Sequence, residues 1–252
     1  MGFSGAVLGQ KDSIKSRNRP TASVSLNAGA GIPTNGFNIN APGTYGGLGS
    51  YAEIGYTVNL FGGFPIAYSH FGVAGLISYN AEPFDINQCL MNLCSRGNTD
   101  EIVSYNSSDF KETLLMSGLY FSTTGKLKLS FRILAGFNFC TLAGYSLKGT
   151  TTFIGYRTGP AIYDVTSSLQ LANSSSVVYD IGIGVNTFTA KHFFGVLNCD
   201  FIYSQAYFNT TYYNNTSYNN TGTFYYWWLQ GSDHFLVNYQ LLNFTVGFGY
   251  KL

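Results

Sequence analysis

Along several stretches of the chain, apolar and small polar residues alternate one for one. From 22 to 32, Ala22, Val24, Leu26, Ala28, Ala30 and Ile32 share one side, and Ser23, Ser25, Asn27, Gly29 and Gly31 the other. From 127 to 139, Leu127, Leu129, Phe131, Ile133, Ala135, Phe137 and Phe139 oppose Lys128, Ser130, Arg132, Gly136 and Asn138. Val177, Tyr179, Ile181, Ile183 and Val185 oppose Asp180, Gly182, Gly184 and Asn186. Near the end, Leu242, Phe244, Val246, Phe248 and Tyr250 oppose Asn243, Thr245, Gly247, Gly249 and Lys251. Side chains of a strand point alternately to its two faces, so each set is one physical face. Strands are expected near 21–32, 47–60, 66–80, 110–122, 127–142, 175–189, 193–207 and 235–251. The fourth is mixed. Phe110, Leu114, Met116 and Tyr120 alternate with Leu115, Leu119 and Phe121, and the second set is assigned to the apolar outside.

The joins alternate too. Those after the second, fourth and sixth strands are brief: Gly62-Gly63-Phe64-Pro65, Thr123-Thr124-Gly125-Lys126 and Ala190-Lys191-His192. Gly and Pro there supply turn chemistry. The other four joins run to about a dozen residues or more, and this rhythm is that of an outer-membrane barrel. The expected fold is all-β: an eight-stranded antiparallel up-and-down transmembrane β-barrel with short periplasmic turns and long extracellular loops. An even strand number puts both ends of the wall on the turn side. Residues 1–20 read as a polar lead-in with GFSGAVLGQ as a candidate signal-peptide remnant, and 21–252 as the barrel.

Composition agrees with a membrane wall. Charged residues are 10%, aromatics 17%, and glycines number 30, whereas soluble domains carry roughly 25% charge. Mean hydropathy is only +0.06, and no apolar run approaches the roughly 18 residues of a membrane-spanning helix. Glu53, Lys128, Arg132, Asp180, Asp200 and Lys251 each fall on the polar face of their own expected strand. An Arg or Lys on the lipid face at the bilayer midplane costs about 2–4 kcal/mol. A net charge of +1 gives no support for nucleic-acid binding. The one basic cluster, Lys11, Lys15, Arg17 and Arg19, reads as polar lead-in or as a headgroup contact.

The opening strand SVSLNAGAGIP (23–33) and the closing strand NFTVGFGYKL (243–252) resemble those of small OmpA/OmpX-type barrels and the porin-family outer membrane protein beta-barrel group. Phe244, Val246, Phe248, Tyr250 and Leu252 resemble the amphipathic terminal strand read by barrel-assembly machinery, with Leu replacing the usual Phe. The resemblance implies the bacterial outer membrane, contact with its lipid, and an extracellular or envelope protein as a candidate partner. It names no role.

Eight strands leave a lumen just wide enough for side chains to fill. Glu53, His70, Arg132, Asp180 and Asp200 are therefore expected to form a lumen polar network in which desolvated charges pair. A gated ion pathway is the alternative. Cys89 and Cys94 share the long join after the third strand, where a secreted setting permits a disulfide, with free thiols as the alternative. Cys140 and Cys199 fall on opposite faces of non-neighbouring strands and are expected unpaired. Residues 208–234 read as an Asn/Thr/Tyr-rich outer loop. Its Tyr225, Tyr226, Trp227 and Trp228 suit either a headgroup-level aromatic belt or recognition of a partner. Phosphate loops, zinc-type His motifs and nucleophile elbows do not occur in the sequence. Asp233 and His234 are adjacent and would point to opposite faces, which is wrong for a Ser–His–Asp relay. The expected function is a non-enzymatic barrel, without metal or cofactor, structural or adhesive through its outer loops. A porin-like passive conduit for small solutes is the alternative.

Overall fold

The structure, a computed structural model, describes residues 21–34, 38–40, 52–66, 69–87, 101–125, 127–155, 159–188, 192–218 and 226–252. The strands are β1 (Ser23–Pro33), β2 (Asn38–Asn40), β3 (Gly55–Pro65), β4 (Phe71–Glu82), β5 (Glu101–Ser107) and β6 (Phe110–Ser122). They continue with β7 (Leu127–Leu142), β8 (Tyr145–Gly155), β9 (Gly159–Leu169), β10 (Ala172–Phe188), β11 (Phe193–Tyr218) and β12 (Tyr226–Lys251). Eight of them form the wall. Around the ring the order is β1-β3-β4-β6-β7-β10-β11-β12, every neighbour antiparallel. It closes because β12 pairs with β11 on one side and with β1 on the other, from Ser23↔Lys251 to Pro33↔Leu241. No helix among the described residues is long and apolar enough to cross a membrane. Strands make the wall.

The alternation sets which way each side chain points. Leu129, Ile133 and Phe137 of β7 are exposed, whereas Arg132, Leu134 and Asn138 between them are buried. The mixed strand β6 resolves likewise: Leu115 and Leu119 face out, and Phe110, Leu114, Met116 and Tyr120 face in. In a soluble protein such outward residues would be the core. Here Ile133 is 55% exposed, Ile183 58% and Phe248 76%, while Asp180, Asp200 and Asn243 are 0% exposed. An outside that is apolar all round with a polar inside is stable only against hydrocarbon.

The apolar band has edges. On the turn side, aromatic rings gather: Phe71 with Phe121 at 5.2 Å, Phe193 with Tyr250 at 5.2 Å and His192 with Tyr250 at 5.6 Å. On the far side, outward positions turn polar, with Thr141 hydrogen-bonded to Asn173 at 2.8 Å and Gln205 to Asn238 at 2.7 Å. Aromatic girdles and a polar rim are what the interfacial layers of a bilayer select.

Two sequence expectations need correcting. The first short join follows Pro65 and ends before Phe71, and in it Ser69 N–H donates to Ile66 O at 2.9 Å. Gly62, Gly63, Phe64 and Pro65 instead finish β3, paired with β4 up to Pro65↔Gly72. A Gly-Pro cluster signals a turn only where the ladder cannot continue, and here it does. The second correction is larger. Residues 208–218 and 226–234 are not loop but the upper halves of β11 and β12, in register to Ser217↔Tyr226. The long joins also hold strands: β8 and β9 form a hairpin, β9 pairs with β11, and β5 pairs with β8. An outer sheet ordered β2-β12-β11-β9-β8-β5 therefore continues out of the wall.

Placing a charge on the outside tests the orientation of the wall. Ile181→Arg on the lipid face of β10 is expected to destabilise the chain in lipid vesicles by about 2–4 kcal/mol. Denaturant titration reads the loss, and an unchanged midpoint would mean that this face does not meet hydrocarbon.

Candidate functional site

Three strands carry the lumen ion cluster on a single rung. Arg132 of β7 lies opposite Gly182 of β10, which lies opposite Asp200 of β11. Gly182 has no side chain, so the Arg132 guanidinium crosses over β10 and its Nη2 donates to Asp200 Oδ1. A Cβ at 182 would collide with both Asp200 Oδ1 and Arg132 Nε. Asp180, two residues along β10, faces Arg132 Nε at 3.5 Å. The other face of the guanidinium covers the Phe61 ring, 5.0 Å from its centroid. One cation thus holds two carboxylates and an aromatic ring at the centre of the barrel, with Arg132 only 4% exposed.

Below this rung a cavity of about 50 Å³ opens toward the turn side, lined by Ser23, Ser25, Lys128, Asn186 and Lys251 among others. Above it the lumen is amide-rich: Asn27, Asn59, Asn80, Asn138 and Asn243 are all buried. Asn243 Nδ2 donates to Asn80 Oδ1 at 3.1 Å and Asn138 Nδ2 to Ser204 Oγ at 3.3 Å, tying β12 to β4 and β7 to β11 across the interior. Toward the outer end the filling becomes apolar, with Phe110, Leu142, Leu147, Phe208, Tyr239 and Leu241 packed together. Among the described residues, side chains occupy the lumen from the Arg132 rung towards its outer end.

Of the residues expected in the lumen network, the structure brings together Arg132, Asp180 and Asp200. Glu53 and His70 are corrections. Glu53 precedes β3, is exposed, and its N–H donates to Pro83 O at 2.9 Å. Because β3 begins at Gly55 rather than near 47, the parity that seemed to aim Glu53 inward has no strand behind it. His70 sits in the β3–β4 turn, exposed, with Nδ1 2.8 Å from Ser122 O and its ring 5.8 Å from Phe121. Two lumen acids were missed, Glu82 at the end of β4 and Glu112 in β6, both buried. Glu112 has the parity of Leu114, Met116 and Tyr120, and that signal was hidden because the face is mostly apolar.

Cys140 points into the lumen and Cys199 outward, and both are free thiols. Cys89, Cys94 and Tyr225 lie outside the described residues. Tyr226, Trp227 and Trp228 pair with Ser217, Thr216 and Asn215. Trp228 lies ten residues beyond Asn238, roughly 34 Å farther along the strand than the polar rim. A belt at headgroup level does not fit that position. Asp233 and His234 occupy successive β12 positions opposite Thr210 and Asn209. Among the described residues no three His, Cys, Asp or Glu side chains converge.

The chain is a closed eight-stranded antiparallel β-barrel with an apolar outside and a polar inside. No model of a known protein family matches it, and no curated protein matches its sequence. Solved structures similar to it include Ail, the attachment invasion locus protein of Yersinia pestis, at 13% identity and TM-score 0.42, over 92% of this chain and 100% of that one. Others are a major outer membrane protein from Thermus thermophilus (12%, TM-score 0.46, 92% and 99% covered) and the outer membrane protein OprG from Pseudomonas aeruginosa (11%, TM-score 0.41, 93% and 97% covered).

Removing one partner of the ion cluster leaves buried, uncompensated charge, so Arg132→Met is expected to destabilise the barrel by about 3–5 kcal/mol. The triple change Arg132→Met, Asp180→Asn, Asp200→Asn should recover most of that loss. Urea unfolding of vesicle-inserted protein measures both, and a triple variant no better than the single one would disprove the pairing.

Proposed function

We propose that the chain is an integral barrel of the bacterial outer membrane that is non-enzymatic and acts outside it, structurally or adhesively, by presenting its outer sheet to an extracellular or envelope protein. The observation that carries this reading is the length of β11 and β12, 26 residues each. About 9–11 residues suffice to cross a bilayer, and β1 and β3 have 11 each. Roughly 15 residues of each long strand are therefore surplus to crossing, and β8, β9 and β5 widen that surplus into a sheet. Tyr226, Trp227 and Trp228 lie at its far end, where large aromatic residues provide contact area at low entropic cost.

The filled lumen argues in the same direction, since Arg132, Asp200 and Phe61 block the centre and Phe110, Phe208 and Tyr239 the outer end. The vestibule beside Lys128 and Lys251 favours the second reading, a porin-like passive conduit for small solutes. Planar-bilayer recordings separate the two. Pure protein is expected to give no steady conductance, and a stable open level would overturn the closed-lumen reading.

Replacing 210–233 with an Asn-Gly turn, which suits a two-residue hairpin, tests the outer sheet. The shortened barrel is expected to fold and insert normally, while attachment of cells displaying it to protein-coated surfaces falls to background. Undiminished attachment would take the role away from this hairpin.

A further inference from the structure

The Glu82 and Glu112 carboxylates occupy the outer third of the lumen with no described role. They lie diagonally across the β4–β6 pair, since Asn80 is opposite Glu112 and Glu82 opposite Phe110. Glu82 is 0% and Glu112 1% exposed. Among the described residues no lysine or arginine pairs with either, because Arg132 is engaged by Asp180 and Asp200. Asn80 and Asn138 present their amides to Glu112. Even so, none of the four carboxylate oxygens has a partner of hydrogen-bond geometry.

A second feature points at the same space. Asn243 Oδ1, on the opposite wall strand β12, is fully buried and also unpartnered. Between it and Glu82 lies Gly31, and a Cβ there would stand 3.1 Å from Asn243 Oδ1 and 3.1 Å from Glu82 Oε1. The missing side chain leaves a gap with oxygen on both sides. Asn243 cannot turn its amide to fill it, because its Nδ2 already donates to Asn80 and Thr57. Asn138 Oδ1 is likewise unpartnered. Against these six acceptor oxygens the donors on hand among the described residues are Asn80 Nδ2 and the single Tyr239 hydroxyl. Two carboxyl protons would supply two donors to six acceptors, whereas a hard divalent cation takes six to eight oxygens and balances two carboxylates.

We infer that the outer lumen holds a hard cation of the calcium class between Glu82, Glu112 and Asn243 Oδ1, with Asn138 Oδ1 behind them. The donor set is oxygen alone, without nitrogen or sulfur, which disfavours transition metals. Such an ion links β4, β6 and β12 across the ring and ties the outer mouth together. It enters during folding, because the apolar filling above and the Arg132 rung below close both approaches.

Full-length protein refolded from urea into detergent with Tb³⁺ present, then desalted, is expected to retain one ion per chain, with emission sensitised through Tyr239, buried in the outer lumen. Refolding with Ca²⁺ in place of Tb³⁺ should raise the melting temperature by several degrees over refolding in EDTA, as binding to the folded state alone requires. Glu82→Gln with Glu112→Gln, checked for folding by heat-modifiable gel mobility, should lose both effects. If that double variant does not fold, Glu82→Gln alone is expected to bind roughly tenfold or more weakly. Wild-type protein that refolds without retaining Tb³⁺ and melts identically in Ca²⁺ and EDTA overturns the site. So does undiminished binding in either variant.

Discussion

Closure of the ring governs the rest of the molecule. Inside a bilayer no water reaches a backbone N–H or C=O, and an open edge strand would leave a row of them unpaired at several kcal/mol each. The ladder between β12 and β1, running from Ser23↔Lys251 to Pro33↔Leu241, removes that edge. With it in place, the two faces of every wall strand acquire different solvents, hydrocarbon outside and other side chains inside. The one-for-one alternation of the sequence is the imprint of those two solvents.

Closing at eight strands makes the lumen narrow, and narrowness dictates its chemistry. Each charge that enters must be met by a partner from another strand. The Arg132 rung meets this by omission, because Gly182 leaves the space through which one guanidinium reaches Asp200. Glycine on a wall strand weakens the strand in isolation, so its presence between an Arg and an Asp marks a contact passing over it. The same logic applies at Gly31, which separates Asn243 from Glu82.

The sequence made the wall legible because period-two alternation survives in most wall strands, and even the mixed strand β6 sorted correctly through Leu115 and Leu119. Parity also placed Arg132, Asp180 and Asp200 on inward faces, though nothing local revealed that Gly182 would let them meet. Glu53 and His70 failed for a physical reason: parity has meaning only within a strand, and both lie outside one. The outer sheet was hidden for another. Beyond the apolar band the alternation of β11 and β12 fades into Asn, Thr and Tyr, and composition there resembles a loop. Backbone pairing needs no apolar stripe when a neighbouring strand continues beside it.

That continuity bears on how the outer sheet can work. The β11–β12 ladder runs from Phe193↔Tyr250 at the turn side to Ser217↔Tyr226 at the far end without a register shift. The barrel is therefore the stem of the hairpin, whose ladder continues that of a wall closed on both sides. β9 takes the place beside β11 that β10 leaves, pairing from Tyr212↔Leu169 to Tyr218↔Tyr163, so the stem stays broad as it rises. A flexible loop would lose conformational entropy on meeting a partner, which weakens binding for a given contact area. A sheet already ordered by its stem has less entropy to lose.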